Sequence, residues 1–149
     1  MSLQEITLME AYIIENLRKN GVSDEEIVRV DDKLIDEWKA LDDRYDYTLF
    51  KKLKEDMGDR FPAIVREGYR VKFLTINGLI NLIELKIGKK RDVDFTVHED
   101  GVSGLKVNEE ELKVIEQILS LNWQVQKEGE RISIRSKHTN RYFTKNEST

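Results

Sequence analysis

The stretch Leu74–Ile87, LTINGLINLIELKI, decides how the chain is read. Asn77-Gly78 stands between two apolar runs. Both residues tolerate positive φ, so the pair is the strongest short signal for a type I′ hairpin turn. On that reading, strands run over 70–76 and 79–87. The same stretch carries a second pattern: Ile76, Leu79, Ile80, Ile83 and Ile87 fit one helical face. From Tyr69 the period changes and Val71 and Phe73 alternate, and the hairpin is the expectation adopted here.

Upstream, the chain reads as helices. Ser2-Leu-Gln-Glu5 has capping-box spacing, and Ile6, Met9, Ile13 and Leu17 recur behind it until Gly21. Ser23-Asp-Glu-Glu26 repeats the box and opens a short helix. Leu34, Ile35, Trp38 and Leu41 mark a third helix. Asp46 caps a fourth, with Leu49, Phe50, Leu53 and Met57 inside and Gly58 at its end. Pro62, the only proline, suits the first turn of a fifth that ends at Gly68.

Downstream, residues 93–98 form a strand, and Asp100-Gly101 turns into another over 102–107. Asn108 caps a helix whose first turn holds Glu109, Glu110 and Glu111, where carboxylates meet the positive end of the helix dipole. Leu112, Val114, Ile115, Ile118, Leu119 and Leu121 cover more than one stripe of it, as in a helix packed between layers. Two strands follow, near 122–127 and 131–136, with a turn at Glu128-Gly129. The expected fold class is α+β: a helical N-terminal half packed with an antiparallel sheet of four to six strands, and one C-terminal helix on the sheet. Residues 1–68 form a helical region and 69–149 a β-rich α+β region. Gly68 is the seam, and the two are expected to make one compact unit.

Composition narrows the chemistry. The chain of 149 residues has no cysteine, which excludes disulfides, thiolate nucleophiles and cysteine-based zinc sites. Charged residues make up 36% and the formal net charge is −4. The charge is uneven: residues 1–68 hold 11 Lys/Arg against 17 Asp/Glu, and residues 69–149 hold 14 against 12. Such asymmetry bears on partners, not on fold. No apolar run approaches the about 18 residues of a membrane span, and the N-terminus lacks a basic leader, so a cytoplasmic location is expected. No glycine-rich phosphate loop is present; Gly101-Val-Ser-Gly104 reads as turn chemistry.

Three constellations bear on function. Glu84-Leu85-Lys86, read on an apolar strand, resembles the second half of the metal-dependent restriction-type nuclease motif. The resemblance implies Glu84 as a divalent-cation ligand and Lys86 as the group that orients water. It lacks the upstream aspartate, since no Asp lies between Asp59 and Asp92. Asp92, Asp94, His98, Glu99 and Asp100 form the densest group of potential ligands. On a strand, residues 94 and 98 stand about 13 Å apart, too far for one ion, so a solvated strand face is expected. The stretch Leu121–Lys145 places Arg135, Lys137, His138, Arg141 and Lys145 beside Tyr142 and Phe143, a mix that can pair phosphates and stack bases. The simpler expectation packs Trp123, Val125, Ile132 and Ile134 inward and turns Gln124, Gln126, Arg131, Ser133 and Arg135 to water, with Tyr142 and Phe143 anchoring the tail.

The sequence therefore points to a small, non-enzymatic binding or regulatory protein. A protein partner or self-association is expected, with no cofactor, metal or membrane. Trp123, Arg135, Lys137, Arg141 and Tyr142 are the candidate binding residues. The alternatives are a nucleic-acid-binding protein using the C-terminal hairpin and basic tail, and a metal-dependent hydrolase or nuclease around Glu84 and Lys86.

Overall fold

The computed structural model describes residues 3–137. The chain is α+β and divides into two compact units, residues 1–72 and 73–149. Among the described residues, no helix is long and apolar enough to cross a membrane.

The first unit opens with a short strand, β1 (Gln4–Ile6). Helices α1 (Leu8–Lys19), α2 (Asp24–Val28), α3 (Asp32–Leu41) and α4 (Thr48–Met57) follow. A 3-10 turn at Gly58–Arg60 leads into α5 (Phe61–Glu67), and β2 (Tyr69–Val71) closes the unit. β1 and β2 pair in parallel, Gln4 with Tyr69 and Ile6 with Val71. This pairing corrects the expected helix start at Ser2–Glu5: Ser2 lies outside the described residues and Gln4–Ile6 is strand. The capping box is Thr7–Glu10. Thr7 Oγ1 accepts from Glu10 N at 3.2 Å and Glu10 Oε1 from Thr7 N at 2.8 Å. Local capping chemistry fits both registers, and the distant partner at 69–71 decides between them. Because β2 pairs with β1, it belongs to the first unit, and the division falls after Lys72, not at Gly68.

Ile13, Ile14, Leu17, Ile27, Trp38, Tyr47, Phe50, Phe61 and Ile64 fill the first core. Phe50 and Phe61 meet edge-on at 5.1 Å, and Trp38 and Tyr47 at 5.8 Å. Met9, Leu41 and Leu49, all expected inside, are exposed.

In the second unit, the opening stretch is a helix, α6 (Ile76–Ile87), and not the second half of a hairpin. Thr75 caps it, its hydroxyl accepting from Gly78 N at 3.0 Å, and Gly88 ends it in the left-handed conformation at φ 70°. Asn77-Gly78 therefore lies in the first helical turn. Burial explains the outcome. As a helix the segment buries Leu79, Ile80, Leu82 and Ile83 together, whereas a strand would send 79 and 83 to one face and 80 and 82 to the other. The remaining elements are β3 (Thr96–His98), β4 (Gly101–Lys106), α7 (Glu109–Ile118), β5 (Trp123–Glu128) and β6 (Arg131–Ser136).

The strands form one antiparallel sheet in the order β3-β4-β6-β5. The unit thus repeats one helix–hairpin order twice, α6-β3-β4 and α7-β5-β6, with the second strand of each hairpin at the centre. Val102, Leu105, Ile132, Ile134 and Trp123 supply the buried residues of one sheet face. Val102 and Leu105 are three apart, yet both are buried, because a register shift between them reverses the alternation; Gly104, at φ 71°, lies inside it. α7 ends at Ile118 and buries a single stripe, Leu112, Ile115 and Ile118. The expected cover of more than one stripe is thereby corrected, since Leu121 lies beyond the helix and is exposed. Ser133, expected to face water, is buried at 2% exposure, its hydroxyl donating to Glu128 Oε1 at 2.8 Å.

At Gly101 the two central strands come so close that an added Cβ would stand 1.9 Å from the Ile134 carbonyl oxygen. Gly101→Ala must push backbone from backbone, and we expect it to lower stability by about 2 kcal/mol or more. Urea unfolding followed by circular dichroism measures this.

Candidate functional site

The site is built from a clasp at the start of the second unit. Leu74 is buried, and its backbone is held at both the N–H and the carbonyl. Its N–H donates to Ser120 Oγ at 3.3 Å, and its carbonyl accepts from the Trp123 indole at 2.9 Å. Trp123 is itself buried, so it acts here as a structural donor. The clasp fixes the residue on each side of it. Phe73 is 88% exposed and sits at φ 45°, a left-handed conformation costly for a bulky side chain. Leu121, next to Ser120, is 78% exposed. Asn122 follows, and its carbonyl accepts from Lys137 N at 2.7 Å. Two apolar side chains thus stand in water around a fixed junction, with the exposed Lys137 close to it in the bonding pattern.

Of the expected binding residues, Trp123 and Lys137 belong to this corner. Arg135 is engaged elsewhere: its Nη1 donates to Asp100 Oδ1 at 2.7 Å, with both side chains largely covered. Arg141 and Tyr142, like His138, Phe143 and Lys145, lie outside the described residues. Phe73 and Leu121 were missed. Their signal in the sequence is an apolar residue in excess of the local pattern, recognisable only once Leu74 and Leu119 are known to take the buried places.

The other constellations do not converge. Glu84-Leu85-Lys86 lies on α6, with Glu84 exposed, so the strand on which the nuclease resemblance rests is absent. Asp94 Oδ2 accepts from Lys90 N at 2.7 Å, His98 Nε2 and Ser103 Oγ share a hydrogen bond of 2.7 Å, and Asp100 holds Arg135. Among the described residues, no three acidic or histidine side chains gather as a metal cage. A groove of about 770 Å³ lies between the β5–β6 turn and the start of α7. Lys89, Lys106 and Lys127 line it, together with Glu109, Glu111 and Glu130, so neither sign dominates.

A buried polar network lies in the first unit. Glu15 Oε2 accepts from Tyr69 Oη at 2.6 Å and from Arg18 Nη1 at 3.1 Å, and Arg18 Nε donates to Asp24 at 3.0 Å. Burial first, and then the Glu15 carboxylate, push the Tyr69 phenol well above its usual range. The network ties α1 to β2 and the head of α2, which is a structural task.

Comparison with protein families, characterised proteins and solved structures finds no match to this chain.

Two expectations follow from these contacts. Phe73→Gly relieves the left-handed strain and loses almost no buried surface, so it should leave stability unchanged or raise it by up to about 1 kcal/mol in chemical denaturation. Tyr69→Phe leaves a buried Glu15 oxygen one donor short and should cost about 1–3 kcal/mol by the same measurement. For the parent protein, the raised phenol pKa means that the folded state holds this proton more tightly. That contribution is complete below the unfolded phenol's pKa, near ~10, and fades as the pH climbs through the higher folded value.

Proposed function

We propose that the protein is a non-enzymatic binding protein, regulatory in role and cytoplasmic, which takes a protein partner on the Phe73–Leu121 corner of its second unit. The observation that carries this reading is Phe73: an aromatic ring 88% exposed on left-handed backbone, beside a residue whose N–H and carbonyl are both clasped. Aromatic residues held rigidly at a surface are the usual anchors of interfaces, because they bury much area for little lost rotamer freedom. A left-handed bulky residue costs on the order of 1–3 kcal/mol and persists where its surroundings over-determine it. Leu121, next to the Ser120 that holds Leu74, adds a second exposed apolar side chain, and the exposed Lys137 favours an acidic partner segment.

The test places a photo-reactive phenylalanine analogue at position 73, and separately at the exposed Lys113 on α7, in cells that make the protein. A defined protein adduct through position 73, absent through 113 and lost on Leu121→Ala, is the expected result. The same adducts from both positions, or none from position 73, would remove the corner as a docking site. Turnover of a definite substrate by the purified chain would remove the non-enzymatic reading.

A further inference from the structure

β5 lies at one end of the sheet, and its outer edge pairs with no strand among the described residues. Which of its groups face outward follows from the hairpin. In an antiparallel pair, opposed residues alternate between exchanging backbone hydrogen bonds and exchanging none. Lys137 N donates to Asn122 O, one step beyond the Trp123–Ser136 pair. Counting from there, Gln124, Gln126 and Glu128 turn their N–H and C=O groups to β6, opposite Arg135, Ser133 and Arg131. Val125 and Lys127 turn theirs away from the sheet. The other edge, β3, has only three residues, and just before it Asp92 N donates to Phe95 O across a tight turn. β5 has six residues, and Gln126, Lys127 and Glu128 are exposed.

We propose that β5 pairs antiparallel with β5 of a second copy of this chain, joining the two sheets across a twofold axis at Val125. A twofold contact opposes each residue to its mirror position, so the strand must be complementary to itself. Centred on Val125, the outward groups of Val125 face those of Val125 in the copy, and the Lys127 N–H faces the Trp123 carbonyl, the Trp123 N–H being donated to Ser120 O at 3.1 Å within its own chain. Gln124 then opposes Gln126, whose amides can bond across the seam, and Glu128 opposes Asn122. No like charges meet. Lysine on an edge strand ordinarily discourages pairing, but in this register Lys127 never meets Lys127. The neutral run Trp123–Gln126 occupies the middle of the contact, and a strand from an unrelated protein would have no reason to match it in both directions.

This inference goes beyond the Phe73 corner and stands without it, since the seam uses outward backbone groups of β5 and the corner uses the side chains of Phe73 and Leu121. The full chain is examined by sedimentation over a wide range of concentrations. The expected result is a concentration-dependent dimer that Phe73→Ala leaves intact. Lys127→Pro removes one outward N–H and no bond to β6, so it should give a monomer with unchanged circular dichroism, while Lys127→Ala should still dimerise. Should Lys127→Pro unfold, register is read by disulfide formation, which the cysteine-free chain reports without background. Gln124→Cys mixed with Gln126→Cys should crosslink, and each alone should not. A parent chain that stays monomeric at every concentration, a folded Lys127→Pro that dimerises like the parent, or crosslinking by one variant alone and not by the mixture would each overturn the proposal.

Discussion

The second unit depends on the backbone of one residue, Leu74, being held at both its N–H and its carbonyl. The Leu74 carbonyl is buried, and a buried carbonyl without a donor costs about 1–3 kcal/mol. The Trp123 indole supplies that donor, and Ser120 meets the N–H of the same residue. The clasp joins the first described residues of the unit to the turn after α7 and to the first residue of β5. Trp123 can serve only if β5 starts where it does, so the bond also sets the register of the last hairpin. Phe73 and Leu121 are exposed as a consequence: each is the neighbour of a residue drawn into the clasp.

A second constraint acts at the middle of the sheet. β4 and β6 approach closely at Gly101, where no side chain fits, and β4 then shifts register before Leu105. The shift returns Leu105 to the buried face and lets six residues of β4 contribute two fully buried side chains. With β4 and β6 central, the two hairpins leave β3 and β5 as edges. Six-residue β5 is the longer of the two, so the repeated helix–hairpin order itself leaves an unequal pair of edges.

Much of this was legible in the sequence, and the failures have physical causes. The α+β class, the helix after Asn108 and the final hairpin were readable, because each rests on a local device: a capping side chain, a period of two, a glycine turn. The 76–87 segment was misread because Asn-Gly is strong evidence for a turn only when the flanking residues need to be strands. Here Thr75 offers a cap one turn earlier, and four adjacent apolar residues are better buried on one helical face. The start of α1 was misplaced for a different reason. β1 exists only through β2, some sixty-five residues away in the chain by the pairing of Gln4 with Tyr69, and no local pattern announces it. The candidate site was half legible. Aromaticity and charge single out Trp123 and Lys137 in the sequence; in the structure Trp123 is a buried donor to the Leu74 carbonyl and Lys137 is exposed. Phe73 was invisible because its importance lies in a φ angle.

The charge pattern deserves less weight than its prominence in the sequence suggests. Exposed ion pairs such as Lys51–Asp32, at 2.8 Å, are worth roughly 0–1 kcal/mol and are weakened by salt. Burying an exposed phenylalanine or leucine side chain is worth about 1.5–3 kcal/mol each. On these magnitudes two apolar residues outweigh several pairs, even though charged residues are more than a third of the chain. The same reasoning separates the corner from the groove beside α7. The groove is the larger feature, but its three lysines face three glutamates, so a ligand of either sign meets as much repulsion as attraction there. Phe73 and Leu121 carry no such opposition, and the clasp has already met the ordering cost of their backbone.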